Sequence, residues 1–290
     1  MITRALGIAA SHRPLAQVLA ATPFVKNVLR ARTLAPDGLL NGFWGAFDHR
    51  EDACAAIPAN LPRDWNRLGL HHDLHDKKAQ AIALDWLARE LTPGARVVHL
   101  GGGDGGLYDL LVENETMPDG VEWLVVETLA LVEAAAAHTR GGLSFATTLP
   151  EHAPDILIVS GYLQYVHADM VGFFASLPWE PGAILINKAP LALGSAFWTL
   201  QNLGRAVTPY RVYREAEFVA AIDRAGFDVL DRWTAPELRV DIPFHPERSV
   251  AALSGLWLKK RKPPISAPCK PGLTSLSLRL SLRVPQALNR

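Results

Sequence analysis

The feature that most constrains this chain is the stretch Val97-Val98-His99-Leu100-Gly101-Gly102-Gly103-Asp104-Gly105-Gly106. Residues that read as a buried strand run straight into glycines, and Leu107, Tyr108, Leu110, Leu111 and Val112 then restart the sequence as a helix. Strand, glycine turn and helix form the opening unit of a doubly wound α/β domain. Residues without Cβ can take positive φ and let a ligand approach the backbone, while the helix behind them presents unpaired N–H groups. A nucleotide-like ligand is expected at this turn.

The sequence that follows alternates as such a domain requires. Pro93-Gly94 turns the chain into the first strand, Arg96 to Leu100. Further strands are expected at Val121 to Glu127, Leu143 to Thr148, Asp155 to Ser160, Ala183 to Asn187, Phe227 to Thr234 and Val250 to Lys259. Helices are expected at Leu129 to His138, Val171 to Leu177 and Glu215 to Ala225, the last closed by Gly226 at the position past the cap. The segment Asp155 to Ser160 is apolar almost throughout, the mark of a strand buried on both faces. Together these predict a mostly parallel seven-stranded sheet with helices on both faces. The 290 residues, 49% of them hydrophobic, suffice for one such domain with appendages.

Three segments are expected: an N-terminal helical and aromatic cap with a lead-in helix over 1–92, the α/β domain over 93–260, and a basic, disordered tail over 261–290. Residues 14 to 32 place Leu15, Val18, Leu19, Phe24, Val25, Val28 and Leu29 at helical spacings, with Pro23 between two short helices. Gly42-Phe43-Trp44-Gly45-Ala46-Phe47 reads as packing in a small cap, with a mobile lid as the alternative. His71-His72-Asp73-Leu74-His75-Asp76 invites a metal reading through its i, i+4 pairs, but zinc takes three or four protein ligands and no companion cluster appears. No metal is expected, and the stretch reads as the cap of a helix over Lys77 to Leu91.

Net charge is zero but unevenly spread: residues 1 to 36 carry +5 and residues 248 to 290 carry +9, leaving −14 on the body. An acidic body argues against nucleic acid as a partner. The basic ends read first as solvated tails, and second as contacts for an anionic membrane surface or an acidic partner. Only Cys54 and Cys269 are cysteines, which fits a reducing compartment. No apolar run approaches the ~18 residues of a membrane span, and His12-Arg13-Pro14 interrupts any signal-peptide core. A cytoplasmic protein is expected, with peripheral contact at the inner membrane face through its basic ends.

Glycine turns after a first strand serve NAD, FAD and S-adenosylmethionine alike. Gly101, Gly103 and Gly105 alternate, unlike the dinucleotide fingerprint, although Gly106 also satisfies that fingerprint's spacing. The strands ending at Ser160 and Asn187 lead into Gly161-Tyr162-Leu163-Gln164-Tyr165 and Lys188, polar and aromatic residues where ligands of open α/β sheets bind. These features favour S-adenosylmethionine. A nicotinamide-dependent oxidoreductase is the rival enzyme, although the chain has no Tyr-x-x-x-Lys arrangement.

At the level of motifs the chain resembles the class I S-adenosylmethionine-dependent methyltransferases, and within them a family associated with bacterial surface-polysaccharide genes. The matching residues are Trp44-Gly45 with Phe47 and Ala53, Leu100-Gly101-Gly102 with Gly105, and Ser160 with Leu163-Gln164-Tyr165. They continue through Ile186-Asn187 with Pro190, Thr199, Gln201-Asn202, Pro209-Tyr210-Arg211 and Ser254-Gly255-Leu256, so that the resemblance covers about residues 40 to 260. It implies a Rossmann-like methyltransferase fold, an enzyme of the methyltransferase class, and a saccharide or surface-glycan precursor hydroxyl as acceptor. One departure is His99, where methyltransferases of this class often place an acid that helps hold the methionine part of the cofactor. It keeps open a second alternative, a binding or scaffold protein that retains the fold without catalysis.

The resemblance also implies roles. His99, Gly101, Gly102, Gly103, Asp104 and Gly105 would form the cofactor turn, and Glu127 would accept hydrogen bonds from the two ribose hydroxyls. Thr147 or Thr148 would lie near adenine, and Ser160, Gln164 and Tyr165 near the methionine and methyl groups. His167 would be the base a sugar hydroxyl needs, with Tyr165 beside it in the reacting region. Trp44, Asn187, Gln201, Asn202 and Tyr210 would bind a hydroxyl-rich acceptor, and the long segment Ala189 to Tyr213 would set its specificity.

Overall fold

The computed structural model describes residues 22–35, 41–61, 77–204 and 206–262. The first half of the expected N-terminal helix pair, the His71–Asp76 stretch, Cys269 and the tail from residue 263 lie outside the described residues.

The strand that opens the α/β unit, β2 (Arg96–Leu100), is central: all of it but Arg96 is buried and both its edges are paired. It pairs in parallel with β3 (Glu122–Val126) on one side and β5 (Ile156–Ser160) on the other. From β3 the sheet continues to β4 (Leu143–Ala146), and from β5 to β6 (Ala183–Ala189), again in parallel. The last strand, β11 (Leu253–Lys260), enters antiparallel between β6 and the edge strand β10 (Phe227–Ala235). The order is therefore β10-β11-β6-β5-β2-β3-β4, the mostly parallel seven-stranded Rossmann-like sheet expected from the sequence. After β4 the chain crosses back to β5 on the far side of β2. Such a switch point opens a crevice outside the carboxyl ends of β2 and β5.

Strand alternation divides the core in two. Ile156 and Ile158 of β5 face one layer, which holds Ala83 and Leu87 of α3 (Lys77–Glu90) and Leu107 and Leu111 of α4 (Gly106–Glu113). Leu157 and Val159 face the other, with Met170 and Phe173 of α6 (Met170–Ser176) and Phe218, Ala221 and Ile222 of α7 (Glu215–Arg224). Between β3 and β4 lies α5 (Leu129–Ala135), continued by a 3-10 turn to His138. Among the described residues no helix is long and apolar enough to cross a membrane.

A second sheet was not foreseen. The aromatic stretch is a strand, β1 (Phe43–Phe47), and the long segment after β6 supplies β7 (Leu191–Ala192), β8 (Phe197–Asn202) and β9 (Val207–Arg214), in the order β1-β8-β9-β7. Pairing of Phe43 with Gln201 and Trp44 with Leu200 joins residues far apart in sequence. The register shifts between Trp44 and Phe47, where Gly45 has φ +76°. A bulge breaks the period-two alternation by which a strand is read, so a glycine that looked like a turn signal is an irregularity within a strand. One face of this sheet packs on α1 (Pro23–Leu34) and α2 (Arg50–Ala55) through Leu29, Leu34, Ala53, Trp198 and Leu200. The other packs on Val240, Ile242 and Val250.

Candidate functional site

The apolar run of β2 carries the chain to its carboxyl edge, where the glycines turn it into α4. Gly103 has φ +59°, and a Cβ built there would meet nothing within 4 Å. A bare, left-handed backbone is thereby presented to open space. At Gly102 glycine is needed for a different reason, since a Cβ would lie 2.6 Å from Nδ1 of His99. Asp104, buried in the turn, accepts the Gly106 N–H at 3.2 Å through Oδ1. Glu127, just past β3, accepts the Gly103 N–H at 3.1 Å and the Thr128 N–H at 3.2 Å. Burial raises the Glu127 pKa, and the two backbone donors oppose that rise.

This turn forms one wall of a cleft of about 510 Å³. His99, Gly101, Gly102, Gly103, Asp104 and Ser160 line it, together with Asn187, which the sequence placed at the acceptor. The opposite wall is one face of α3, Gln80, Ala81 and Leu84, and the side of α4 that bears Asp109 and Glu113. Asp109 is also salt-bridged to Arg140. Lys188 completes the lining from the end of β6, with φ +59°, a left-handed conformation uncommon for a residue with a side chain. His99 is buried and edge-on to Trp123 at 6.0 Å, and its Nδ1 has no hydrogen-bond partner among the described residues. Burial, with the Lys188 charge as a second cause, pushes its pKa down to about 3, so the imidazole is neutral. Asn187 is buried and accepts the Trp233 indole N–H at 3.3 Å. Gln164 is buried behind this edge, its Oε1 without a partner among the described residues. Thr148 is exposed beyond the end of β4. Of the residues expected at the cofactor, Gly105, Glu127, Gln164 and Thr148 do not line the cleft.

Apart from Asn187, the residues expected to bind an acceptor separate from this group. Tyr210 is fully buried, edge-on to Phe43 at 5.0 Å and to Tyr165 at 5.7 Å, and burial raises its pKa well above the ordinary value. Tyr165 donates to Gln201 Oε1 at 2.7 Å, and Gln201 Nε2 donates to Asn41 Oδ1 at 3.3 Å. Asn202 donates to the carbonyls of Thr33 and Ala35 at 2.7 and 2.8 Å and accepts the Gly204 N–H at 2.8 Å, which ties α1 to the second sheet. Trp44 is buried against Phe244. These side chains build the second sheet's interior.

His167 lies on the surface, its Nε2 3.6 Å from Glu51 Oε1 on α2, and Arg211 donates to its carbonyl at 3.2 Å. Sequence reading passed over Glu51, because 116 residues separate it from His167. It also passed over Gln80 with Leu84 and Asp109 with Glu113, although each pair has the i, i+4 spacing of one helix face. Lys188 gave no sequence signal beyond its place after a strand.

No protein-family model and no curated protein sequence matches the chain. Solved structures similar to it include the Burkholderia thailandensis 1,6-didemethyltoxoflavin-N1-methyltransferase with bound 1,6-didemethyltoxoflavin and S-adenosylhomocysteine. That match has 17% identity and a TM-score of 0.44, and covers 65% of this chain and 80% of that one. An S-adenosylmethionine-dependent methyltransferase from Mesorhizobium loti matches with 18% identity over 64% of this chain and 99% of its own, TM-score 0.42. One from Geobacter sulfurreducens, in complex with S-adenosylhomocysteine, matches with 13% identity over 66% and 94%, TM-score 0.41.

Proposed function

We propose that this chain is an S-adenosylmethionine-dependent methyltransferase that binds its cofactor in the cleft at Gly101–Gly106 and methylates a hydroxyl of a saccharide or surface-glycan precursor. The observation that carries the cofactor reading is the charge of the cleft. Asp104, Asp109 and Glu113 line it against the ammonium of Lys188, Asp109 also being paired with Arg140, and His99 contributes no charge. A dinucleotide would bring a pyrophosphate dianion against those carboxylates, whereas the methionine part of S-adenosylmethionine, with an ammonium, a sulfonium and one carboxylate, brings a net positive charge.

When bound, S-adenosylmethionine supplies a methyl group on a positively charged sulfur. The bare backbone at Gly103 admits close approach, and Glu127 beside it has the two oxygens that suit a vicinal diol. Ala81 and Leu84 cover the cleft with apolar surface and keep water from it. His167 serves as base: the Glu51 carboxylate stands 3.6 Å from Nε2, leaving Nδ1 to take the acceptor's hydroxyl proton. Basic termini fit an enzyme that works in the cytoplasm beside an anionic membrane face.

Calorimetric titration of the full chain with S-adenosylmethionine, S-adenosylhomocysteine and NADH tests this reading. Binding of both sulfur compounds but not NADH, lost in Gly103→Arg, is expected. Binding of NADH alone would replace it with an oxidoreductase. Binding of the sulfur compounds without turnover on any nucleotide sugar or glycan acceptor would favour the scaffold.

A further inference from the structure

Two cavities lie on the sheet face opposite the cofactor cleft, between α6 and α7. One, about 180 Å³, is walled by Arg211, Arg214 and Arg224 with Tyr213. The other, about 290 Å³, is walled by Phe174, Leu177, Trp179 and Phe227. They share Val171, Ala221 and Arg224, and so form one groove, cationic at one end and apolar at the other.

The cationic end is built rather than incidental. Arg211 is held between the rings of Trp198, at 5.5 Å, and Tyr213, at 4.9 Å, while Nη1 donates to the His167 carbonyl. Its Nε is buried with no hydrogen-bond partner among the described residues, and the residue lines this cavity. Two carboxylates also line the cavity, but both are engaged. Asp169 caps α6 by accepting the Gly172 N–H at 2.8 Å, and Glu217 pairs with Arg214 at 3.2 Å. Among the described residues neither Arg211 nor Arg224 has a salt-bridge partner, and the lining sets three guanidinium groups against two carboxylates, a net positive charge. At the apolar end Trp179 is fixed by its indole N–H bond to the Pro150 carbonyl at 2.9 Å, and Val171 stands 49% exposed at the junction. That exposed valine links the two ends with hydrocarbon surface.

We propose that this groove binds an alkyl phosphate amphiphile, its phosphate held by Arg211 and Arg224 and its hydrocarbon chain lying along Val171 towards Phe174, Trp179 and Phe227. Planar guanidinium groups match phosphate oxygens in pairs of hydrogen bonds, and the apolar end gives the chain a surface to bury. The site is separate from the cofactor cleft and does not depend on what that cleft binds. Its occupancy reaches the catalytic edge through one bond, Arg211 to the carbonyl of His167.

The test is calorimetric titration of the full chain, without cofactor, with hexyl, octyl and decyl phosphate kept below micelle formation, and with inorganic phosphate and decanol. Affinity is expected to rise with chain length by up to about fourfold per methylene. It should fall at least about tenfold in Arg224→Gln and in Val171→Asp, both confirmed as folded by circular dichroism. Equal affinity for inorganic phosphate and decyl phosphate would overturn the proposal, because the apolar end would then contribute nothing. Binding unchanged in both variants would also overturn it by placing the ligand elsewhere. Sedimentation with phosphatidic acid vesicles, lost in Arg224→Gln, would assign the phosphate to a bilayer headgroup. Binding of decyl phosphate without binding of vesicles would assign it to a soluble ligand.

Discussion

A buried neutral imidazole makes this protein acid-sensitive by a calculable amount. The His99 pKa falls from 6.5 to about 3, through burial first and the charge of Lys188 second. Between those two values the unfolded chain binds more protons than the folded one, so stability is lost as pH drops below the unfolded value and is fully present above it. By linkage, this one group removes about 2 kcal/mol between pH 7 and pH 5, and about 4 kcal/mol by pH 3. Glu127, whose pKa is raised, acts in the opposite sense, stabilising the fold as pH falls through its folded value. A comparison that isolates His99 therefore needs a variant that keeps Glu127. Urea unfolding of the native chain and of His99→Leu at pH 7 and pH 5 supplies it. The native chain should lose about 2 kcal/mol more than the variant between the two conditions. Equal losses would refute the reasoning, since the imidazole would then be solvated or protonated in the folded state.

Other consequences follow from neighbouring residues. Gly103→Arg places a side chain in open space at a left-handed backbone, so it should cost only about 1–2 kcal/mol of stability while abolishing cofactor binding by calorimetry. Gly255→Ala should destabilise the fold further, by about 3 kcal/mol in urea unfolding, because its Cβ would lie 2.0 Å from the Trp233 ring. Asn202→Ala leaves three bonded backbone groups without their partner and should cost about 2–4 kcal/mol in urea, with cofactor affinity unchanged. Should a methyl acceptor be found, His167→Ala should lower kcat by about a hundredfold or more, and Glu51→Gln by less, with an unchanged thermal midpoint.

Much of the α/β sheet was legible because its signals are local. Ile156 to Val159 read as doubly buried and is, the glycine turn follows β2 directly, and Glu127 stands at the end of the next strand against that turn. What escaped depends on distant pairing. Phe43–Phe47 becomes a strand only because Phe197–Asn202 lies beside it, and its own alternation is interrupted by the bulge at Gly45. Gln201, Asn202 and Tyr210 have the polar groups of a sugar site, yet each is turned into the second sheet's interior, a matter of strand orientation that residue type does not record. His167 and Glu51 come together only in the folded chain, where α2 packs on the second sheet.

A crystal structure grown with S-adenosylhomocysteine would show whether the acidic cleft between α3 and the glycine turn holds the cofactor. Density for the ligand along Gly101–Asp104, with its ribose at Glu127 and its amino-acid end within the cleft lined by His99, Asp104 and Lys188, is the predicted result. A well-ordered crystal with that cleft holding only water at saturating ligand, or with the ligand bound elsewhere, would contradict it.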